Sequence, residues 1–401
     1  MCRVKLFSLF AILFSLSACS FYDMYEMPED VYINLNENIF DVYSDVETND
    51  LIDETNVEIV STNNKINTDI LGEYTYTIDY LYKKRKYKYD IIYKIVDTVE
   101  PIFINSSNAV TIKIGDDSNL CDNISFGDNY DNAPTCSING EYNINEVGKY
   151  DLEYVIKDAS MNEKRKKFSL SVVKEFSKTT SNSKPKYVYI NEVLDKYKND
   201  NTSIGIDVSK WQGNVDFEKV KDAGVEFVIM RIGSQREPSE EFSVDSRFKE
   251  YYQKAKDAGL KVSVYVYNCA ISREDGIKTA NWVINELNGD KLDYPIAYDW
   301  ENWKDFNNYK ISIHTLSEAY LAFEDTLKKA GYDSMLYSSK FYLENVWTNY
   351  DNSNIWLVHY TDKTDYKKDY MLWQMTSLGK ISGITENTVD IDILYKQKLD
   401  K

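Results

Sequence analysis

Ala297-Tyr298-Asp299-Trp300-Glu301 reads as the end of a short apolar strand. Side chains two apart on a strand face the same way, so Asp299 and Glu301 share a face, about 6–7 Å apart along the backbone, while Trp300 points away. Two carboxyls this close do not both ionise freely. The one in the drier spot keeps its proton toward neutral pH and its partner stays charged, which is the requirement for cleaving a glycosidic bond. A lone D-x-E carries little weight in a chain with 65 Asp and Glu, where such pairs arise by chance on solvated faces. Its company decides.

Asp207 ends the apolar run Gly205-Ile206-Asp207-Val208 and is followed by Ser209-Lys210-Trp211-Gln212-Gly213; Val228-Ile229-Met230-Arg231 ends a second run. Trp373-Gln374 and Val389-Asp390-Ile391-Asp392 lie in two late runs. Ser263-Val264-Tyr265-Val266-Tyr267 alternates, which places Tyr265 and Tyr267 on one face. From Ser203 onward, short strands (Ile204–Val208, Phe227–Arg231, Lys261–Tyr267, Pro295–Trp300, Met335–Tyr337, Ile355–His359, Met371–Met375, Val389–Ile393) alternate with helical stretches. The helices are expected at Phe217–Ala223, Ser246–Ala258, Arg273–Leu287, Ile313–Ala330 and Lys340–Val346. Glycines 259 and 331 stop two of them as C-caps. The last strands are too closely spaced for intervening helices. The expected fold is therefore an α/β barrel with helices in its first part and functional groups at the strand C-termini.

These motifs, in this order, resemble the glycoside hydrolase family 25 lysozymes (Chalaropsis-type muramidases) from about Ser203 to Tyr395. The resemblance implies a TIM-like (β/α)5(β)3 barrel, catalytic Glu301, Asp299, Asp207 and Asp390, and no cofactor or metal. It makes Glu301 the general acid/base and Asp299 the partner of the substrate's 2-acetamido group. Asp207 and Asp390 would tune Glu301. Asp392 falls where the family more often has asparagine, which leaves open which member of the final pair faces the site. Tyr265, Tyr267, Tyr337, Tyr360, Trp373 and Asp392 are the substrate-binding candidates. Val266 replaces a histidine usual between the two tyrosines. For each aromatic the competing reading is barrel core.

The rest of the chain bounds the setting. A net charge of −18 disfavours nucleic acid, and two histidines with no CxxC pair disfavour zinc. Residues 1–18 have the form of a secretory signal: Arg3 and Lys5, the apolar Leu6 to Leu16, then small residues. Leu16-Ser17-Ala18-Cys19 resembles a bacterial lipobox, which implies export, a lipid anchor on Cys19 and a tether over 19–27. Outside the cell a disulfide between Cys121 and Cys136 is permitted, and two free thiols are equally compatible with the sequence. Cys269 reads as a buried hydrophobe.

Residues 28–97 and 98–174 are strand-like and share a pattern: Gly72-Glu73-Tyr74 and Gly148-Lys149-Tyr150 each open a strand, a basic turn and an exit strand. Two all-β sandwiches follow as the expectation. The second, with Asp97-Thr98-Val99-Glu100-Pro101 and Val155-Ile156-Lys157-Asp158, resembles bacterial immunoglobulin-like modules. Residues 175–202 read as a polar linker, in which Tyr187 to Tyr197 are open to adding a strand or a helical turn, and 203–401 as the catalytic domain. The whole is expected to be a monomeric, multidomain peptidoglycan hydrolase cutting between N-acetylmuramic acid and N-acetylglucosamine. The competing readings are a non-catalytic wall-binding protein and a chitin-type glycosidase.

Overall fold

The computed structural model describes residues 27–60, 65–177 and 185–398. The expected signal segment and Cys19 lie outside them. The chain divides into two compact units, Met1–Thr98 and Val99–Lys401.

In the first unit, Gly72–Tyr82 and Arg85–Val96 form an antiparallel hairpin. Lys83 and Lys84 make its turn at φ 46° and 63°, the left-handed pair that matches strand twist in a two-residue loop. Ile39–Asp41 adds in parallel to one side and Glu58–Ile59 in antiparallel to the other. The same order recurs in the second unit's N-terminal module: Gly148–Lys157 pairs with Glu163–Val173, flanked by parallel Ala109–Lys113 and antiparallel Thr135–Asn139. Cys121 and Cys136 are disulfide-bonded, with Cα atoms 6.1 Å apart.

The rest of the second unit is a closed circuit of eight strands. These are β1 (Thr202–Val208), β2 (Phe227–Ser234), β3 (Lys261–Tyr267), β4 (Ile296–Asp299), β5 (Ser334–Ser339), β6 (Asn354–Val358), β7 (Leu372–Ile381) and β8 (Ile384–Tyr395). Neighbours from β1 to β7 are parallel, and β8 closes the ring antiparallel to both β7 and β1. Helices follow the first five strands: α1 (Phe217–Asp222), α2 (Phe248–Asp257), α3 (Arg273–Leu287), α4 (Ile313–Lys329) and α5 (Lys340–Asn345).

Strand parity builds the ring. Ile204, Ile206, Val228, Met230, Val262, Val264, Leu336 and Leu357 face the helices in one core. Phe227, Ile229, Ala297, Met335, Trp356, Leu372 and Leu394 pack together in a second apolar cluster. Gly205 belongs to this arrangement because a Cβ there would lie 2.2 Å from the Phe227 ring. Along β1, β2, β4 and β8 the residues in phase with this second set become polar: Asp207, Arg231, Asp299, Asp392 and Asp390. A dry floor thus supports a polar mouth.

The stretch 175–202 is not wholly a linker. Val188–Tyr189 pairs with β7, and the helix Ile190–Tyr197 buries Ile190 and Val193 against the ring. Within residues 187–197 both a short strand and a two-turn helix form. The N-terminal module is also held to the ring. Ser125 Oγ donates to the Lys304 carbonyl at 2.8 Å, Asn307 brackets the Phe126 backbone at 3.1 and 2.9 Å, and Ile313 N donates to Asp128 O at 2.8 Å.

Candidate active site

Asp207, Asp299, Glu301 and Asp390 line one cavity of about 290 Å³ at the C-terminal ends of β1 and β4 and beside β8. Larger concavities of about 490 and 620 Å³ lie elsewhere, but this one gathers the acids. Trp300 turns the other way, fully buried, with Nε1 donating to Ala270 O at 3.0 Å. That opposed packing fixes the direction of its two acidic neighbours.

Asp299 is buried, and its Oδ1 has no hydrogen-bond partner among the described residues. Burial and then the charge of Glu301 raise its pKa well above the carboxylate range, with Arg231 opposing. Glu301 stands at the open rim, reachable by solvent from one side while the cavity wall removes water from the other. That loss of water raises its pKa as well. Asp390 is pushed up to about 7, mainly by burial and further by Glu301. Protons are therefore held in this cluster at neutral pH.

Asp207 is fixed from behind. Gln374 Nε2 donates to Asp207 Oδ2 at 2.8 Å, while its Oε1 accepts from Tyr337 OH at 3.1 Å and Tyr360 OH at 2.9 Å. Burial, then Asp390 and Asp392, raise the pKa of Asp207. Arg231 is spent on Asp245, at 2.8 Å from Nε and 2.5 Å from Nη2, which aims its charge beside the acids without neutralising them. Ser209-Lys210-Trp211-Gln212 forms a capped turn after β1: Ser209 N donates to Gln212 Oε1 at 2.9 Å, and Gln212 Nε2 to Thr388 O at 3.1 Å. This turn holds Trp211 at the cavity edge with 61% of its surface open.

The aromatic expectations divide, some by parity and some by depth along the strand. Tyr265, Tyr337 and Tyr360 line the cavity. Tyr267 does not; its OH donates to Asn302 Oδ1 at 2.7 Å and so ties down the residue after Glu301. Trp373 points outward, with Nε1 donating to His359 O at 2.8 Å and its ring edge-on to Tyr197. Its neighbour Gln374 takes the inward position, because β7 enters the ring one residue out of phase with the expectation. Asp392 also fails to reach substrate space: it is fully buried behind the acids and accepts from Trp356 Nε1 at 2.9 Å. Sequence reasoning missed Trp211, Gln374 and Trp356 as site residues. The signal for Gln374 was a lone amide inside the apolar run Met371 to Met375. Cys269 is buried and its thiol pushed up to about 12 by desolvation, so it stays protonated.

Residues 206–384 match the profile of Glycosyl hydrolases family 25. An autolytic lysozyme of Clostridium acetobutylicum is 30% identical over 190 residues, 47% of this chain and 54% of that protein, so the chain spans about half the length of this relative. Among solved structures, the modular autolysin LytC of Streptococcus pneumoniae, in complex with a synthetic peptidoglycan ligand, is 25% identical, with a TM-score of 0.44, over 61% of this chain and 56% of that one. A family 25 glycosyl hydrolase from Bacillus anthracis is 20% identical, with a TM-score of 0.43, over 50% and 90%. The stretch 206–384 is thus similar to glycosyl hydrolase family 25 domains, with Asp207, Asp299 and Glu301 inside it and Asp390 just past its end.

Proposed function

We propose that this protein is a cell-wall muramidase that hydrolyses the β-1,4 bond between N-acetylmuramic acid and N-acetylglucosamine in peptidoglycan. The observation that carries it is the convergence of Asp207, Asp299, Glu301 and Asp390 on one small cavity whose pKa values are raised. Glu301, on the open side, donates its proton to the glycosidic oxygen as the C1–O bond breaks. The substrate's acetamido oxygen closes on C1, and the acetamido N–H donates a hydrogen bond to Asp299, whose Oδ1 has no other partner among the described residues. Water then adds to C1 from the opposite face as the bond from C1 to the acetamido oxygen breaks, and gives its proton to Glu301, which results in retention of configuration. Asp207 and Asp390 hold the negative field that keeps the Glu301 proton in place. Tyr265, Tyr337, Tyr360 and Trp211 offer flat faces and hydroxyls to the sugar rings.

In the same reading the eight-stranded ring is a TIM-like (β/α)5(β)3 barrel, and the two β modules are immunoglobulin-like sandwiches. The chain is exported, anchored through a lipid on Cys19, and monomeric. An acidic enzyme gains no long-range steering toward an anionic wall polymer, so short-range contacts must supply affinity. The test is release of reducing ends from purified peptidoglycan by the full chain, with muropeptides identified by mass and the product anomer by NMR. Binding without cleavage would support a wall-binding protein instead. Preferential cleavage of chitin oligomers would change the substrate, and an inverted product would remove acetamido participation.

A further inference from the structure

An open cleft of about 620 Å³ lies between the N-terminal module of the second unit and the ring. The module contributes Asn105, Ser106 and Lys166, and the ring contributes Ser339, Phe341 and Tyr342. No Asp or Glu lines it, in a protein of net charge −18. Phe341 leaves 47% of its surface open. Lys164 and Arg165 also border the cleft, but their charges are engaged: Lys164 by Glu100 at 3.7 Å, and Arg165 by Glu163 at 2.7 Å and Glu153 at 3.5 Å. Lys166 instead donates to Ser106 Oγ at 2.7 Å and has no carboxylate within 4.0 Å among the described residues. Its half-buried ammonium is the cleft's one uncompensated charge.

The cleft and the acidic cavity share no lining residue, but neighbouring side chains connect them. Ser339 lies two residues past Tyr337, which lines that cavity. Tyr342 stacks on Trp303 with ring centroids 4.0 Å apart, and Trp303 is two residues past Glu301, whose charge reaches the Tyr342 phenol. The module forming the far wall is fixed to the segment 304–313 by the hydrogen bonds of Ser125, Phe126 and Asp128. Gly127 approaches so closely that a Cβ there would lie 2.6 Å from the Phe306 ring. This wall is seated on the chain that follows the catalytic strand.

We infer that the second β module completes the substrate groove, and that the cleft binds a further muramyl unit of the strand through its peptide stem, with Lys166 on a stem carboxylate and Phe341 against the sugar or peptide face. The inference rests on the muramidase reading for its choice of ligand. An aromatic face, amides, hydroxyls and one free cation suit an anionic glycopeptide.

The test is calorimetric binding of N-acetylmuramyl dipeptide, and separately of uncharged chitotetraose, to the full chain carrying Glu301→Gln, which binds without turnover. Adding Lys166→Ala should weaken the dipeptide about tenfold and chitotetraose by less than twofold, with Lys166→Arg restoring the dipeptide. Phe341→Ala should weaken the dipeptide with the melting temperature unchanged. Equal losses for both ligands on Lys166→Ala, or no loss for either, would overturn the inference. So would Lys166-dependent binding of poly(glycerol phosphate) with no dipeptide binding, which would assign the cleft to a phosphate polymer. A protein that binds the dipeptide through Lys166 yet cuts no peptidoglycan would sink the muramidase reading and leave this site standing.

Discussion

Trp356 and Asp392 meet beneath the acidic cavity: the indole Nε1 donates to Asp392 Oδ1 at 2.9 Å, and Asp392 Oδ2 has no donor among the described residues. Asp392 is paired in register with Gly205, two residues from Asp207, and its carboxyl comes within hydrogen-bonding reach of the Asp207 carboxyl. Each acid receives one N–H, from Trp356 and from Gln374, and the remaining oxygens are left to share a proton. A buried pair with both pKa values raised binds more protons folded than unfolded. Stability therefore falls as pH rises above the ordinary carboxylate range.

Asp392→Asn keeps an acceptor for Trp356 and removes the titrating group. The variant is expected to melt at a higher temperature than the parent at pH 8, with the gain vanishing near pH 4, where the parent pair is fully protonated. Calorimetric melts across that range check it. A variant less stable than the parent at pH 8 would contradict the shared proton.

Glu301→Gln should lower kcat on peptidoglycan by about 10³-fold, within the range of a lost general acid. The melting temperature should hold or rise, since a carboxyl with a raised pKa is removed from among like charges. Reducing-end release paired with a melt separates lost chemistry from lost fold.

Asp390 and Glu301 repel each other's ionised forms. Removing the Asp390 charge by Asp390→Asn lets Glu301 lose its proton more easily. The alkaline limb of the kcat profile, which reports the loss of the acid form, should move to lower pH. A limb that stays put or moves up would show that the two groups do not communicate.

Trp211 is the exposed ring at the cavity edge, displayed by the Ser209–Gln212 turn. Trp211→Ala should raise KM on glycan about three- to tenfold, in line with about 0.5–1.5 kcal/mol for an aromatic stacking face, and leave kcat within twofold. A change in kcat alone would place the ring in the chemistry rather than in binding.

The disulfide between Cys121 and Cys136 closes a loop of 15 residues. On chain-entropy grounds, the double Cys→Ser variant should lose about 3 kcal/mol of module stability, read as earlier protease cleavage within 99–174. Because that module is hydrogen-bonded to 304–313, activity should fall at temperatures where the module opens.

The sequence by itself determined the local elements. Periodicity placed all eight ring strands and five helices, because each strand's core-facing residues must alternate and each helix must present one apolar stripe. The D-x-E spacing placed Asp299 and Glu301 on one face for the same reason. Tertiary structure decided what spacing does not encode, namely which parity of each strand faces inward. That choice depends on where a strand enters the closed ring, so Gln374 rather than Trp373 lines the cavity; depth along β8, at the same parity, leaves Asp390 at the mouth and Asp392 sealed beneath it. It also decided that residues 188–197 belong to the ring and that the second module is seated on it. Both are long-range contacts whose partners lie over a hundred residues away, where no local pattern records them.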